Sequence, residues 1–136
     1  MSGGAGAGAY TGGCLCGQVR WRAAAEPINV RLCHCRNCQR ATGGAFFARA
    51  LFHAADVTRS GDTTRWASSA RLHRLSCARC GTPVFAEPQD GPWLAVALAT
   101  LDDPVALSPG SHIWVSRKLP WTPIDDGLPQ YPEGVP

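Results

Sequence analysis

The stretch Cys33-His34-Cys35-Arg36-Asn37-Cys38 places three thiols within six residues. In an extended C-x-C segment, side chains two positions apart lie on one face, so Cys33 and Cys35 can reach a common point while His34 faces away. A turn after Cys35 would bring Cys38 to the same point. Three thiols that converge in this way indicate a metal-binding site.

Three cysteines fill only three of the four tetrahedral positions of zinc, and an open fourth position is typical of a catalytic zinc site. The alternatives are a redox cluster or a fourth protein ligand that closes the shell and makes the site structural. His34, His53 and His73 are the candidates for that ligand, although His34 would have to reverse its direction. The open, catalytic arrangement is the interpretation that the spacing favours.

The other four cysteines form two pairs, C-x-C at 14–16 and C-x-x-C at 77–80, each followed by a glycine. The second pair has the spacing of a zinc knuckle, in which two thiols lie across a tight turn. Neither pair fills a tetrahedral shell alone, so the economical partition joins both in one closed structural zinc site of Cys14, Cys16, Cys77 and Cys80. This site would stabilise the fold directly, because the free energy of metal binding becomes free energy of folding.

Composition indicates one domain. With 136 residues, 45% hydrophobic and 17% charged, the chain has enough apolar material for a single core. Residues 1–9 are predicted to be a flexible leader, and residues 10–136 the zinc-binding domain. No apolar run is long enough to span a bilayer, so no membrane partner is expected. Seven cysteines at metal-ligand spacing are typical of a reducing compartment, which predicts a cytoplasmic location.

The charge distribution argues against a nucleic-acid partner. The formal net charge is +3. A zinc ion with four thiolates has a net charge of −2 and one with three thiolates a net charge of −1, so the formal charge of the loaded protein falls to about zero. The chain also lacks the Lys-rich stripe of a polyanion-binding surface.

The runs between the cysteines predict a mostly β, antiparallel fold with little helix. In the run 18–23, Val19, Trp21 and Ala23 would occupy the buried face of a strand. One short helical turn is predicted at 36–41. Further strands are predicted at 28–32, 45–48, 57–58, 63–66, 71–75, 83–86, 93–100 and 112–115. The proline-rich tail after Lys118 would place its Trp and Ile over a sheet or across a partner copy in a homodimer.

Four ordered blocks resemble the family of glutathione-dependent formaldehyde-activating enzymes, which also includes a centromere protein. The blocks are GCLCGQVR (13–20), CHCRNCQRATG (33–43), CARCGTP (77–83) and TLDDP (100–104). The resemblance implies a tent-like β fold and two zinc ions per chain. It implies a structural ion at the four-cysteine site and a catalytic ion at Cys33, Cys35 and Cys38. The named activity joins glutathione and formaldehyde to S-hydroxymethylglutathione and is classed as a carbon–sulfur lyase activity.

Zinc with three thiolates should suit a thiol better than water, and a deprotonated thiol can add to a carbonyl carbon. The predicted function is therefore that of a carbon–sulfur lyase acting on thiol–aldehyde adducts, with glutathione or a similar small thiol and an aldehyde as partners. Arg36 and Arg40 are candidate substrate-binding residues for a carboxylate-bearing thiol. His34 is predicted to have an orienting or surface role, and the Asp102-Asp103 pair to form a turn before Pro104.

The alternative function is a non-catalytic, zinc-stabilised binding or scaffold module. A solvent-accessible cavity beside the three-cysteine site would favour the enzyme, especially one lined by Phe46, Phe47 or Trp side chains. A fourth protein ligand on the metal would favour the module.

Overall fold

The protein is described by a computed structural model that covers residues 10–134. The leader predicted at residues 1–9 lies outside the described residues. Ten strands occur in the described part: β1 Tyr10–Gly13, β2 Arg20–Ala23, β3 Asn29–Cys33, β4 Phe47–His53, β5 Val57–Ser60, β6 Thr63–Ser69, β7 Leu72–Cys77, β8 Pro83–Pro88, β9 Trp93–Ala97 and β10 Ser111–Ile113. The helices are α1 Arg36–Thr42 and the 3-10 segments Ala54–Asp56, Leu98–Thr100 and Val115–Arg117. The prediction of a mostly β fold is confirmed.

The strands form two sheets. The small sheet has the order β1-β2-β5, and the large sheet has the order β10-β3-β4-β9-β8-β7-β6. Neighbouring strands are antiparallel, as predicted, except that β10 runs parallel to β3. In that pair Ile113 lies opposite Cys33, so a strand from late in the chain supports the end of the strand that delivers the first cysteine of the C-x-C motif.

The main core lies between the two sheets. The alternation predicted for 18–23 is confirmed, because Val19, Trp21 and Ala23 are buried. The Trp21 ring packs against that of Phe52 on β4, with ring centroids 6.4 Å apart, and Val96 of β9 belongs to the same cluster. One face of the large sheet therefore forms part of the main hydrophobic core, which stabilises the fold.

The opposite face of the large sheet carries smaller side chains. Along β9, Leu94 and Val96 belong to the main core, whereas the intervening Ala95 and Ala97 belong to a second cluster. This separation follows from the two-residue period of a strand. The second cluster also contains Cys33, Cys38, Phe47, Ala86 and Ile113. The second face of the sheet is thus the face on which the three-cysteine motif lies.

Several element boundaries differ from the predictions. The strand predicted at 45–48 begins only at Phe47 and continues to His53. The strand predicted at 93–100 ends at Ala97 and gives way to a 3-10 segment. The strand predicted at 112–115 ends at Ile113, because Trp114 adopts a left-handed conformation with a φ of 58°. The helical turn predicted at 36–41 is confirmed as α1.

The tail runs beside β10. The Tyr131 amide donates to the His112 carbonyl at 2.9 Å, and the His112 amide donates to the Pro129 carbonyl at 2.9 Å. Trp121 is 69% exposed, so the prediction that it packs over a sheet is wrong, while packing across a partner copy stays a prediction. Within residues 10–134, no helix has both the length and the apolar character needed to cross a bilayer.

Gly12 lies where the small sheet meets the core, and it is expected to tolerate no side chain. A β-carbon there would overlap the Thr100 carbonyl oxygen and lie 2.5 Å from the Trp21 ring. Since both neighbours are buried, Gly12→Ala should lower the free energy of unfolding by about 1–3 kcal/mol, measured by chemical denaturation. At Gly44 the nearest atom would be 3.7 Å away, so Gly44→Ala should change the free energy of unfolding by less than about 0.5 kcal/mol. Equal losses in the two variants would contradict this account of Gly12.

Candidate functional site

The structure brings the two distant cysteine pairs together. The sulfur atoms of Cys14, Cys16, Cys77 and Cys80 lie within 4.8 Å of one another. The separations are 3.6 Å between Cys14 and Cys16 and 3.8 Å between Cys16 and Cys77. Four sulfurs bound tetrahedrally at the usual zinc–sulfur distance would be about 3.8 Å apart. This four-cysteine cluster could therefore hold one metal ion in a closed shell.

Hydrogen-bond donors surround the sulfurs of the four-cysteine cluster. The Val19 amide donates to Cys14 Sγ at 3.2 Å, and the Arg79 and Cys80 amides each lie 3.4 Å from Cys77 Sγ. The Thr82 hydroxyl lies 3.1 Å from Cys80 Sγ, and this contact is the main cause that lowers the pKa of Cys80 to about 5. These donors thus stabilise the thiolate form of Cys14 and Cys80, which is the form that a metal requires.

A second cluster joins Cys33, Cys35 and Cys38, whose sulfurs also lie within 4.8 Å of one another. Cys33 ends β3, and Cys35 caps the N-terminus of α1 by accepting the Cys38 amide at 3.3 Å. Among the described residues no further Cys, His, Asp or Glu side chain joins this three-cysteine cluster. The fourth ligand considered from the sequence, a histidine, is therefore not present there.

The three thiols lie so close together that a bound cation would stabilise their ionised forms. The thiols of Cys33 and Cys38 donate toward Cys35 and lower its pKa to about 2, whereas donation to Cys35 raises the pKa of Cys33. One thiolate is thus stabilised by two neighbouring thiols, and ionising all three at this spacing would bring like charges together. A metal ion removes that repulsion, and a donor set made only of sulfur suits a thiophilic metal rather than calcium or magnesium.

A cavity of about 620 Å³ opens against the three-cysteine cluster. It is lined by Cys33, Cys35, Arg36, Asn37, Cys38, Phe47, Arg49, Leu51, Ser68, Ser69, Leu72, Arg74, Ala86, Pro88, Ala95, Trp114 and Arg117. Four of these residues are arginines, and none is acidic. Small alanines from β8 and β9 form part of its wall, so the second face of the large sheet provides the space. The cavity suits a negatively charged ligand with an apolar part.

The predicted site residues are distributed unevenly around this cavity. Arg36 lines it and donates to the side-chain carbonyl of Gln39. Arg40 is exposed on α1 and is not among the lining residues. Of the two phenylalanines, Phe47 lines the cavity, while Phe46 packs against the His34 ring with ring centroids 5.4 Å apart.

Sequence reasoning missed three arginines of the cavity wall. Arg49 and Arg74 lie in strands β4 and β7, and Arg117 ends the last 3-10 segment. For the two strand arginines, the sequence offered one signal: a charged residue within a mostly apolar strand. Such a residue occupies either a solvent-facing position or a functional one. In Arg49 the guanidinium donates to the Asn29 side chain at 2.7 Å, and its pKa is lowered, first by burial and then by the charge of Arg31.

His34 faces away from the cysteines, as predicted, but its surface role is wrong because the side chain is 0% exposed. Its Nε2 lies 2.8 Å from His112 Nδ1, and His112 Nε2 lies 2.7 Å from Asp126 Oδ2. Burial is the main cause that lowers the pKa of His34. These three side chains connect the C-x-C motif to β10 and then to the tail.

The acidic pair before Pro104 serves the fold. Asp102 accepts from the Arg20 guanidinium at 2.5 and 2.9 Å and from the Thr11 hydroxyl at 2.7 Å. The carboxylate of Asp103 accepts the Val105 amide at 3.2 Å, which is a turn contact. Asp102 is thus explained by its ion pair with Arg20, and Asp103 by the predicted turn.

Comparison with known proteins finds a similar sequence and a similar fold. A protein of Schizosaccharomyces pombe named an uncharacterized lyase is 29% identical over 76 residues, which are 56% of each chain, so the match spans about half the length of that relative. A crystal structure of a Rhodobacter sphaeroides protein, a structural genomics target, is similar with a TM-score of 0.59 and 21% identity, covering 89% of this chain and 98% of that one. This second likeness shows a shared fold.

The model of one protein family matches most of the sequence. It is described as glutathione-dependent formaldehyde-activating enzyme and covers residues 9–117, which include both cysteine clusters. The match extends from the start of β1 to the end of the last 3-10 segment. The chain belongs to the family of glutathione-dependent formaldehyde-activating enzymes.

Proposed function

We propose that this chain is a zinc-dependent carbon–sulfur lyase that forms or breaks adducts between a small thiol and an aldehyde, with glutathione and formaldehyde as the pair that the family name suggests. The observation that supports the proposal best is the three-cysteine cluster, which faces a cavity and, among the described residues, lacks a fourth protein ligand. An open position of this kind is what a catalytic metal site needs. A relative named as a lyase is in agreement.

The two cysteine clusters would hold two zinc ions with different roles. Cys33, Cys35 and Cys38 would hold the catalytic ion, and Cys14, Cys16, Cys77 and Cys80 the structural one. Zinc bound by three cysteines supplies a soft Lewis-acidic position that favours the thiolate form of an incoming thiol. All seven cysteines are free thiols, which is in keeping with the reducing cytoplasm that we propose as the location.

The cavity residues would bind and orient the substrates. Arg36 and the strand arginine Arg49 present guanidinium groups that can pair with a carboxylate of the thiol. The side chains of Phe47 and Leu51 form apolar wall that keeps water from the carbonyl carbon. No lining residue is His, Asp or Glu, so the proton released by the thiol would exchange with solvent at the cavity mouth.

The proposed reaction balances without an oxidant or reductant. A carbon–sulfur bond forms while the carbon–oxygen π bond breaks, and the proton that leaves sulfur ends on the aldehyde oxygen. The reverse reaction releases thiol and aldehyde. The non-catalytic scaffold alternative would leave the open position and the arginine-lined cavity without a use.

The metal content provides the first test of the proposal. A four-and-three partition should bind two zinc ions per chain in metal-replete protein, measured by native mass spectrometry. The ion of the three-cysteine cluster should be lost first on treatment with a chelator, because it has fewer protein ligands. A single ion in fully loaded protein would show that the partition is wrong.

Serine substitutions separate the roles of the two clusters. Cys77→Ser should lower the free energy of unfolding by on the order of several kcal/mol, because it opens the link between distant segments. Cys35→Ser should remain folded, with thiol–aldehyde activity reduced to background. Circular dichroism during thermal unfolding and a formaldehyde-release assay measure the two effects. The opposite pattern would mean that the structural and catalytic roles are exchanged.

Ligand preference tests the proposed chemistry. Glutathione should bind the zinc-loaded protein at least about tenfold more tightly than S-methylglutathione, because only the free thiol offers a thiolate to the metal. Arg36→Ala should weaken glutathione binding more than Arg40→Ala, since Arg36 lines the cavity and Arg40 does not. Calorimetric titration measures both differences. Equal affinities for the free and the methylated thiol would exclude binding through sulfur.

A further inference from the structure

Arg74 is a buried cation in contact with the three-cysteine cluster. Arg74 is only 7% exposed, and its Nη2 donates to Cys38 Sγ at 3.4 Å. Its Nε donates to Ser68 Oγ at 2.9 Å, and its guanidinium lies over the Phe47 ring, 5.8 Å from the centroid. Three contacts therefore fix the group in one orientation beside a sulfur.

The charge of Arg74 has no carboxylate partner among the described residues. A buried charge is normally paired, because transfer from water to the interior is otherwise costly. The counter-charge available at Arg74 is the sulfur cluster itself. Three thiolates around a divalent ion carry a net charge of −1, which one guanidinium neutralises.

An incoming thiolate makes this neutralisation important. It would add a further negative charge to a metal-loaded cluster whose net charge is −1, and repulsion between like charges is strong where water is largely excluded. With the guanidinium counted, the group made of the metal, the three cysteines, the bound thiolate and Arg74 would carry a net charge of −1 in place of −2. The same hydrogen bond holds the Cys38 side chain in its orientation.

We infer that Arg74 is a positioning residue that holds Cys38 and supplies the positive charge that lets a thiolate join the three-cysteine cluster. This inference rests on the proposed function, because it requires a metal at that cluster. It assigns to Arg74 a role different from that of the other arginines in the cavity wall. Arg49 donates to Asn29 and Arg36 to Gln39, so neither of them has a hydrogen bond to a cysteine among the described contacts.

A thiol without a carboxylate isolates this role. Cobalt(II) in place of zinc gives sulfur-to-cobalt absorption bands, and their change on adding 2-mercaptoethanol reports binding at the three-cysteine cluster, since the four-cysteine cluster has no open position. Arg74→Met should weaken binding of 2-mercaptoethanol by about tenfold or more and shift the bands to lower energy, because Cys38 loses its hydrogen bond. Arg74→Lys, which keeps the charge, should recover part of the affinity.

Two comparisons make the test specific. The exposed Arg71 does not line the cavity, so Arg71→Met should leave the affinity within about twofold of the parent protein. Ser68→Ala removes only the hydroxyl that holds the guanidinium, and it should weaken binding in the same direction by a smaller factor. This variant decides the matter if Arg74→Met does not fold.

The outcomes distinguish the inference from the proposed function. A parent protein whose cobalt bands do not respond to 2-mercaptoethanol overturns the proposed function and the inference with it. A parent that responds, with Arg74→Met and Ser68→Ala responding equally well, overturns the inference alone. A loss from Arg49→Met as large as that from Arg74→Met would assign the effect to the overall positive charge of the cavity, and it would overturn the particular role of Arg74.

Discussion

The alternation of side chains across the large sheet is the constraint on which the rest of the structure depends. Residues such as Leu94 and Val96 point toward the small sheet and form the main core, while Ala95 and Ala97 between them face the other way. The same strands therefore supply both the stability of the fold and the wall of the cavity. A shift of one residue in strand register would exchange these two sets and abolish both.

The cavity combines two features that are individually costly. Three sulfurs lie within 4.8 Å of one another, and four arginines surround the same space without an acidic partner in its wall. Without the other set, the ionised sulfurs would repel one another, and so would the guanidinium groups, which would also lose hydration without gaining a counter-charge. In the function proposed above they would compensate, because a metal and an anionic substrate would complete the charge balance. The site is therefore organised for occupancy by charged groups rather than for a purely apolar ligand.

Local sequence patterns predicted the cysteine partition, the buried face of 18–23 and the strand that delivers Cys33, because these features depend on spacings of a few residues. Relations between distant segments were not predictable in this way. The contact between Arg74 and Cys38 depends on the order of the seven strands in the large sheet, which no local pattern specifies. The His34–His112 contact spans 78 residues and depends on the parallel pairing of β10 with β3. The left-handed Trp114, which ended the predicted last strand early, has no sequence signature of its own, since such a conformation usually favours glycine or asparagine.

The support that β10 gives to β3 has a consequence for biosynthesis. A chain that is made from its N-terminus exposes the C-x-C-x-x-C segment to the cell well before residues 111–131 emerge. A metal ion can then meet the three thiols while the wall built by Trp114 and Arg117 has not yet formed. The four-cysteine cluster must wait for Cys77, 61 residues after Cys16. Metal binding at the three-cysteine cluster can thus precede folding, whereas metal binding at the four-cysteine cluster has to coincide with it.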